Sequence, residues 1–186
     1  SRYNTGMQSA VFLDRDGVII ENRPDYVRTW QEVKFLPGAL EGLASLARSR
    51  YQVVLVSNQA GVGRGLIAPE TAEVINQSIL QTIRQAGGRI DAAYLCPHKP
   101  EDGCNCRKPQ PGMILQAANE LGLDLAASLL IGDNLSDLLA GKAGGVGRLA
   151  LVRSGLGASF ENQLEQAGLA AVTVYDDLPQ AIAALL

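Results

Sequence analysis

Asp14 and Asp16 stand two residues apart at the end of the apolar run Val11-Phe12-Leu13, and Gly17 follows at once. Carboxylates at that spacing suit calcium binding in a loop, acid–base cleavage of a glycoside, or phosphoryl transfer in which one carboxylate attacks and the other handles a proton. An EF-hand loop needs oxygen ligands at alternate positions and a glutamate at the twelfth. Counted from Asp14, the fifth position is Val18, the sixth Ile19 and the twelfth Asp25, so that template fails. A glycosidase pair is defined by separation in space, which sequence spacing does not give. Phosphoryl transfer adds demands: a divalent cation to offset the repulsion between carboxylate and phosphate, donors for the phosphoryl oxygens, and a fixed positive charge. The chain offers Asp133 for the metal, Ser57 and Asn58 as donors and Lys108 as the cation.

A second group with metal chemistry lies in one short segment. Cys96, His98, Cys104 and Cys106 include every cysteine and the only histidine of the chain. An odd cysteine count with a histidine interleaved favours metal over disulfides. Three sulfurs and one imidazole fill a tetrahedral shell with no vacancy, which is the form of a structural zinc site. Arg107 and Lys108 follow the last ligand directly, so a metal-clamped loop would hold two cations rigidly. The segment Lys99 to Gly103 has little apolar content to fix it otherwise.

Such groups need elements to position them. Val11 to Leu13, Tyr51 to Val56, Ile90 to Leu95, Ser128 to Ile131, Leu149 to Val152 and Ala171 to Val174 read as strands, and Ser57 to Gln59 leave the second of them. Helices are expected after Pro37-Gly38, from Pro69 to Gly87 with Val74, Ile75, Ile79, Leu80 and Ile83 buried, and from Gly112 to Leu121 with Ile114, Leu115, Ala118 and Leu121 on one face. Others are expected to Lys142, at Glu161 to Gln166, and from Pro179 to Leu186. Ile20 to Leu36 reads as a long loop or flap, and Gly61 to Gly65 as a glycine-rich turn that lacks the spacing of a dinucleotide or Walker A loop. Alternating strands and helices predict an α/β fold: a three-layer, Rossmann-like, mainly parallel sheet with helices on both faces. Asp14, Asp16, Ser57 and Asp133 would converge beyond the strand ends.

The 186 residues suffice for one core, and residues 7–186 are expected to form one domain. The polar residues 1–6 ahead of Met7 are set aside as a remnant preceding the native start. A charged fraction of 19% and a net charge of -3 argue against a nucleic-acid footprint. No apolar run approaches the length of a membrane span, and a cytoplasmic protein is expected.

Asp14-x-Asp16-Gly17, Ser57-Asn58 after a strand, Lys108, and Gly132-Asp133-x-x-x-Asp137 together resemble the four motifs of the haloacid dehalogenase-like phosphatases, over residues 10 to 153 or so. The resemblance implies Asp14 as nucleophile, Asp16 as general acid and then base that also gives Mg²⁺ its main-chain carbonyl, Ser57 and Lys108 on the phosphate, and Asp133 on Mg²⁺. Asp137, a turn deeper along a starting helix, is read as a support rather than a ligand. Cys-x-His followed by Cys-x-Cys-Arg-Lys-Pro looks like the branch that holds the heptose-1,7-bisphosphate 7-phosphatases and the histidinol-phosphate phosphatases. Asn58 to Gly65 and Pro111-Gly112-Met113 lean toward the heptose enzymes. The expectation is a Mg²⁺-dependent, monomeric phosphatase with a structural zinc and no separate cap domain. Its substrate would be a small phosphorylated sugar, with Gln59, Arg64 and Arg107 joining Ser57, Asn58 and Lys108 on it. Guanidinium forks suit a second phosphate. An amino-alcohol phosphate would want a carboxylate, for which Glu21 and Asp25 in the flap could serve. A non-catalytic, zinc-stabilised binding module is the reading from outside enzymology.

Overall fold

The computed structural model describes residues 6–186, so most of the segment set aside at the N-terminus lies outside the described residues. Six parallel strands form one sheet: β1 (Ala10–Leu13), β2 (Gln52–Asn58), β3 (Ala92–Cys96), β4 (Leu129–Gly132), β5 (Arg148–Val152) and β6 (Thr173–Tyr175), in the order β3-β2-β1-β4-β5-β6. The α-helices are α1 (Ala39–Ala47), α2 (Ala60–Gly63), α3 (Pro69–Gln85), α4 (Gly112–Leu121), α5 (Leu135–Gly144), α6 (Gly157–Phe160) and α7 (Leu178–Leu185).

Because side chains alternate along a strand, each strand feeds two cores. Val11, Leu13, Val53, Leu55, Leu129 and Ile131 face a cluster closed by Leu43 and Leu46 of α1, Ile75, Ile79 and Ile83 of α3, and Ile182 of α7. Phe12, Val54, Val56 and Leu130 face the other cluster, with Met113, Ile114 and Ala117 of α4 and Leu138 of α5. The fold is therefore the expected three-layer doubly wound α/β arrangement. Its strand order reverses direction between β1 and β4, and ligands of such sheets bind outside the strand ends at that point.

Several local expectations are corrected. Val74 is 65% exposed and Leu115 48% exposed. The buried stripe of α3 runs through Ile75, Ile79 and Ile83, and that of α4 through Met113, Ile114 and Ala117. One residue is 100° of helix, so a neighbour of a buried position easily faces water. The glycine turn after β2 forms the single helical turn α2, and the helix expected at Glu161 to Gln166 is α6 followed by a 3₁₀ turn at Glu161–Gln163. β2 runs on through Ser57 and Asn58, because they pair with Leu95 and Cys96 of β3.

The flap is pinned rather than loose. Ile20 bridges both Asp16 and Phe35, Val18, Ile19, Ile20 and Val27 are buried, and a 3₁₀ turn spans Trp30–Glu32. No described helix is long and apolar enough to cross a membrane.

Candidate active site

Asp14 follows β1, its N–H donating to Ile131 O of β4 at 3.2 Å. Asp133 comes from the β4–α5 turn and Asp137 from the first turn of α5. Gly17, with φ 87°, makes their approach to β1 feasible: a Cβ there would lie 2.0 Å from Asp133 Oδ2. Gly155, with φ 60°, is equally constrained, since its Cβ would fall 2.3 Å from the same oxygen. That loop after β5 braces both acidic turns. Leu156 N–H donates to Asp133 Oδ2 at 3.0 Å and Ser154 Oγ to Gly17 O at 2.8 Å.

Lys108 crosses from the cysteine-rich loop into this group. Its Nζ donates to Val56 O at 2.7 Å, Asp14 Oδ1 at 3.0 Å and Asp137 Oδ1 at 2.6 Å, satisfying all three ammonium protons in a site only 4% exposed. The other oxygen of Asp137 accepts the N–H groups of Asp133 and Asn134 at 3.1 Å each. Both Asp137 oxygens are thus committed within the protein. Asn58 has a similar task. Its Oδ1 accepts Lys108 N–H at 3.0 Å and its Nδ2 donates to Lys108 O at 3.1 Å, so both amide atoms grip the lysine main chain. Asn58, expected on substrate, thus holds Lys108 while also lining the cavity.

Three carboxylates against one ammonium leave the group short of positive charge. Burial, then the Asp137 charge, pushes Asp14 up to about 7 although Lys108 opposes this. Burial, then Asp14 and Asp137, pushes Asp133 up to about 9 against the Leu156 N–H. Lys108 is raised, the two aspartates outweighing the burial that lowers it. One ligand atom each from Asp14, Asp133 and Asp137 lies within 4.8 Å of the others. Asp14 Oδ2 and Asp133 Oδ1 accept no hydrogen bond among the described residues. A hard divalent cation that takes oxygen ligands fits this donor set, and it would supply the missing charge. Asp16, expected to give magnesium its main-chain carbonyl, turns its carboxylate away from this trio and leaves that carbonyl role untouched. Arg15 Nε and Nη2 hold it at 3.0 and 3.3 Å, and Gln59 Nε2 at 3.1 Å. The same Gln59 donates to Ser57 Oγ at 2.6 Å and accepts from Arg15 Nη2 at 3.0 Å. Arg15 is buried and structurally paired.

Cys96, His98, Cys104 and Cys106 also converge within 4.8 Å. Four of the contacts between their ligand atoms measure 3.3 to 3.7 Å, and Cys106 and Cys96 stand at 2.7 Å with no disulfide. Zn–S bonds near 2.3 Å set tetrahedral ligands about 3.8 Å apart, so the cluster fits zinc. Burial, then a hydrogen bond with Cys106, pushes the Cys96 thiol up to about 12. Cys104 is brought down to about 6: burial raises it, but the Arg107 N–H and neighbouring thiols prevail. The loop docks on α2 through Gly63, whose N–H donates to Pro97 O at 2.9 Å and whose Cβ would meet that oxygen at 2.5 Å.

A cavity of about 430 Å³ opens over the acids. Its walls include Asp14, Arg15, Asp16, Asn58, Gln59, Arg107, Lys108, Asp133 and Asp137. Ser57 is fully buried behind Gln59 rather than on the wall. Arg64 is also off the wall: its Nε donates to the hydroxyl of Tyr26, which does line the cavity. Sequence reasoning missed Asn22, Arg23, Pro24, Tyr26 and Val27 of the flap, and Asn134, Ser136 and Leu156. Asn134 and Ser136 lay within a motif already singled out, whereas Leu156 carried no signal. Glu21 and Asp25, the carboxylates an amino-alcohol would need, are exposed and off the wall.

A family model described as HAD-hydrolase-like matches residues 105–181. The D-glycero-beta-D-manno-heptose-1,7-bisphosphate 7-phosphatase of Photorhabdus laumondii is 38% identical over 180 residues, covering 93% of this chain and 94% of that one. The Pseudomonas aeruginosa protein of the same name is 34% identical over 96% of this chain and 98% of its own. Among solved structures, D,D-heptose 1,7-bisphosphate phosphatase from Bordetella bronchiseptica, complexed with magnesium and phosphate, superposes with a TM-score of 0.88. It is 37% identical and covers 96% of this chain and 98% of that one.

Proposed function

The chain belongs to the haloacid dehalogenase-like phosphatases, in the group of the heptose-1,7-bisphosphate 7-phosphatases, and from that premise we propose that it removes the 7-phosphate of D-glycero-D-manno-heptose 1,7-bisphosphate. The observation that carries the reading is the buried Asp14–Lys108–Asp137 chain beside Asp133, at the strand ends where β1 and β4 diverge. The names of the Photorhabdus laumondii and Pseudomonas aeruginosa relatives specify the β anomer, which supports that anomer here.

Asp14 attacks phosphorus through the carboxylate oxygen that Lys108 leaves unoccupied, while Lys108 holds the other and fixes the attacking geometry. The bond from phosphorus to the sugar oxygen breaks, and Asp16 gives that oxygen a proton. Asp16, now a carboxylate, takes a proton from water as the water attacks the aspartyl-phosphate, releasing inorganic phosphate and restoring Asp14. Asp16 sits at the cavity wall, held ready by Arg15 and Gln59. Asp14 and Asp133 would hold Mg²⁺, with Asp137 fixing the turn beneath; the ion supplies charge that lets an anion approach two carboxylates. The Cys₃His cluster would hold a structural Zn²⁺, anchoring Arg107 and Lys108. Residues 7–186 would act as one phosphatase domain. A small sugar phosphate as substrate supports a cytoplasmic site of action.

Phosphate release is to be measured from both anomers of the bisphosphate, fructose 1,6-bisphosphate and histidinol phosphate, with and without Mg²⁺. Mg²⁺-dependent preference for the β-heptose bisphosphate is expected. Preference for histidinol phosphate overturns the substrate, and no release from any ester overturns the enzyme.

A further inference from the structure

Among the described residues, four cationic side chains line the cavity: Arg15, Arg23, Arg107 and Lys108. Two are spent within the protein, Arg15 on Asp16 and Gln59, and Lys108 on Val56, Asp14 and Asp137. Arg107 keeps most of its donors, giving only a 3.3 Å bond to His98 O. The Arg23 guanidinium makes no hydrogen bond among the described residues, and its Nε is shut from solvent without a partner. The acids closest to it, Asp25 Oδ1 at 3.5 Å and Glu32 Oε1 at 3.8 Å, attract the charge without satisfying its donors. A guanidinium with unspent donors beside a cavity is a costly arrangement for the free protein, and an oxygen-rich anion relieves it.

We propose that Arg23 is a specificity-determining residue: from the flap it grips the phosphate that is not hydrolysed, together with Arg107 of the zinc loop. This deepens the function proposed above and rests on it. While one phosphate of a bisphosphate lies against Asp14 and Lys108, the other must be met by cations with donors to spare, and among the described cavity residues these are Arg23 and Arg107. Arg64, the guanidinium that the sequence favoured for this task, is off the cavity wall and holds Tyr26. Arg23 also ties selectivity to the flap. Its segment is fixed by Tyr26, whose φ of 66° is the only positive value at a described non-glycine residue and whose ring packs on Gly61.

The test compares kcat/KM for heptose 1,7-bisphosphate and heptose 7-phosphate in saturating Mg²⁺, in the wild type, Arg23→Gln and Arg23→Lys. The wild type should favour the bisphosphate. Arg23→Gln should cut the ratio of the two values by about tenfold, carried by KM, as expected for a partly solvated charge-assisted contact of about 1.4 kcal/mol. Arg23→Lys, which keeps the charge and loses the fork, should recover part of the ratio. A wild type without preference between the substrates overturns the function above and this inference with it. A preference that persists in Arg23→Gln, or a loss equal for both substrates, overturns the role of Arg23 alone.

Discussion

Replacing Asp14 by Asn should abolish turnover and yet make the magnesium-free protein more stable. A carboxyl whose pKa rises from 3.8 to about 7 on folding is one whose ionised form the fold disfavours. The direction fixes the pH window. Well below the unfolded value both states are protonated and nothing is lost; as pH rises toward 7 the unfolded chain ionises and the fold does not, so stability falls; above 7 the loss is complete. At 1.36 kcal/mol per pH unit the rise corresponds to about 4 kcal/mol, and coupling to Asp137 and Asp133 makes about 2–4 kcal/mol the working range. Asn keeps the shape and the oxygen that receives Lys108 Nζ but cannot ionise. In zinc-replete, magnesium-free buffer at pH 8, urea unfolding should therefore show Asp14→Asn about 2–4 kcal/mol more stable. For a chain of 186 residues this is about 5–15 °C in Tm. Near pH 4.5 the gain should shrink to about 1 kcal/mol. Saturating Mg²⁺ should narrow or reverse the order, because only the wild type then binds a ligand to its folded state. A variant no more stable than the wild type at pH 8 without Mg²⁺ would refute the claim that the cluster lacks positive charge.

Three further outcomes follow from the same geometry. Cys104→Ser should lose zinc, measured as metal per chain, and lower kcat/KM by about 10- to 100-fold by loosening Lys108; zinc loss with unchanged kinetics contradicts the anchoring role. Asn58→Ala strips both polar contacts from the Lys108 main chain and should cost about 2–3 kcal/mol of stability along with most of kcat. Unchanged kcat in a folded variant removes Asn58 as a positioning residue. Gly155→Ala drives a methyl group into Asp133 Oδ2 and should weaken Mg²⁺ binding, read by titration of activity or of thermal shift, with about 1–3 kcal/mol lost from backbone strain as well; wild-type Mg²⁺ affinity counts against the brace.

The sequence made the sheet, the acids and the Cys₃His cluster legible because each rests on short-range patterning: β-branched runs ending in polar turns, and ligands ten residues apart or fewer. It could not divide residues whose task depends on where a side chain turns. Ser57, Asn58 and Gln59 are consecutive, yet Ser57 is sealed in, Asn58 grips the Lys108 main chain from the cavity wall and Gln59 bonds Asp16 there. Alternation along β2 and the following turn, not residue type, divides those roles. Arg64 stands off the cavity wall and Arg23 on it for a similar reason. The glycine-flanked motif advertised the former, and the flap that carries the latter has no periodicity to show which of its residues face inward.

The central place of β1 also shapes the order in which the protein can be made. Its pairing with β2 joins Val11 to Val53, but its other edge waits for Leu129, 118 residues after Val11. During synthesis the strand that ends in the catalytic turn is long exposed on one side, and Asp14 precedes its lysine partner by 94 residues. Chains ending before β4 present an unpaired, wholly apolar edge at Ala10–Leu13, the kind that invites pairing with a neighbour. Helper proteins that shield nascent chains, and truncations that test them, should therefore act most strongly on fragments ending between β2 and β4.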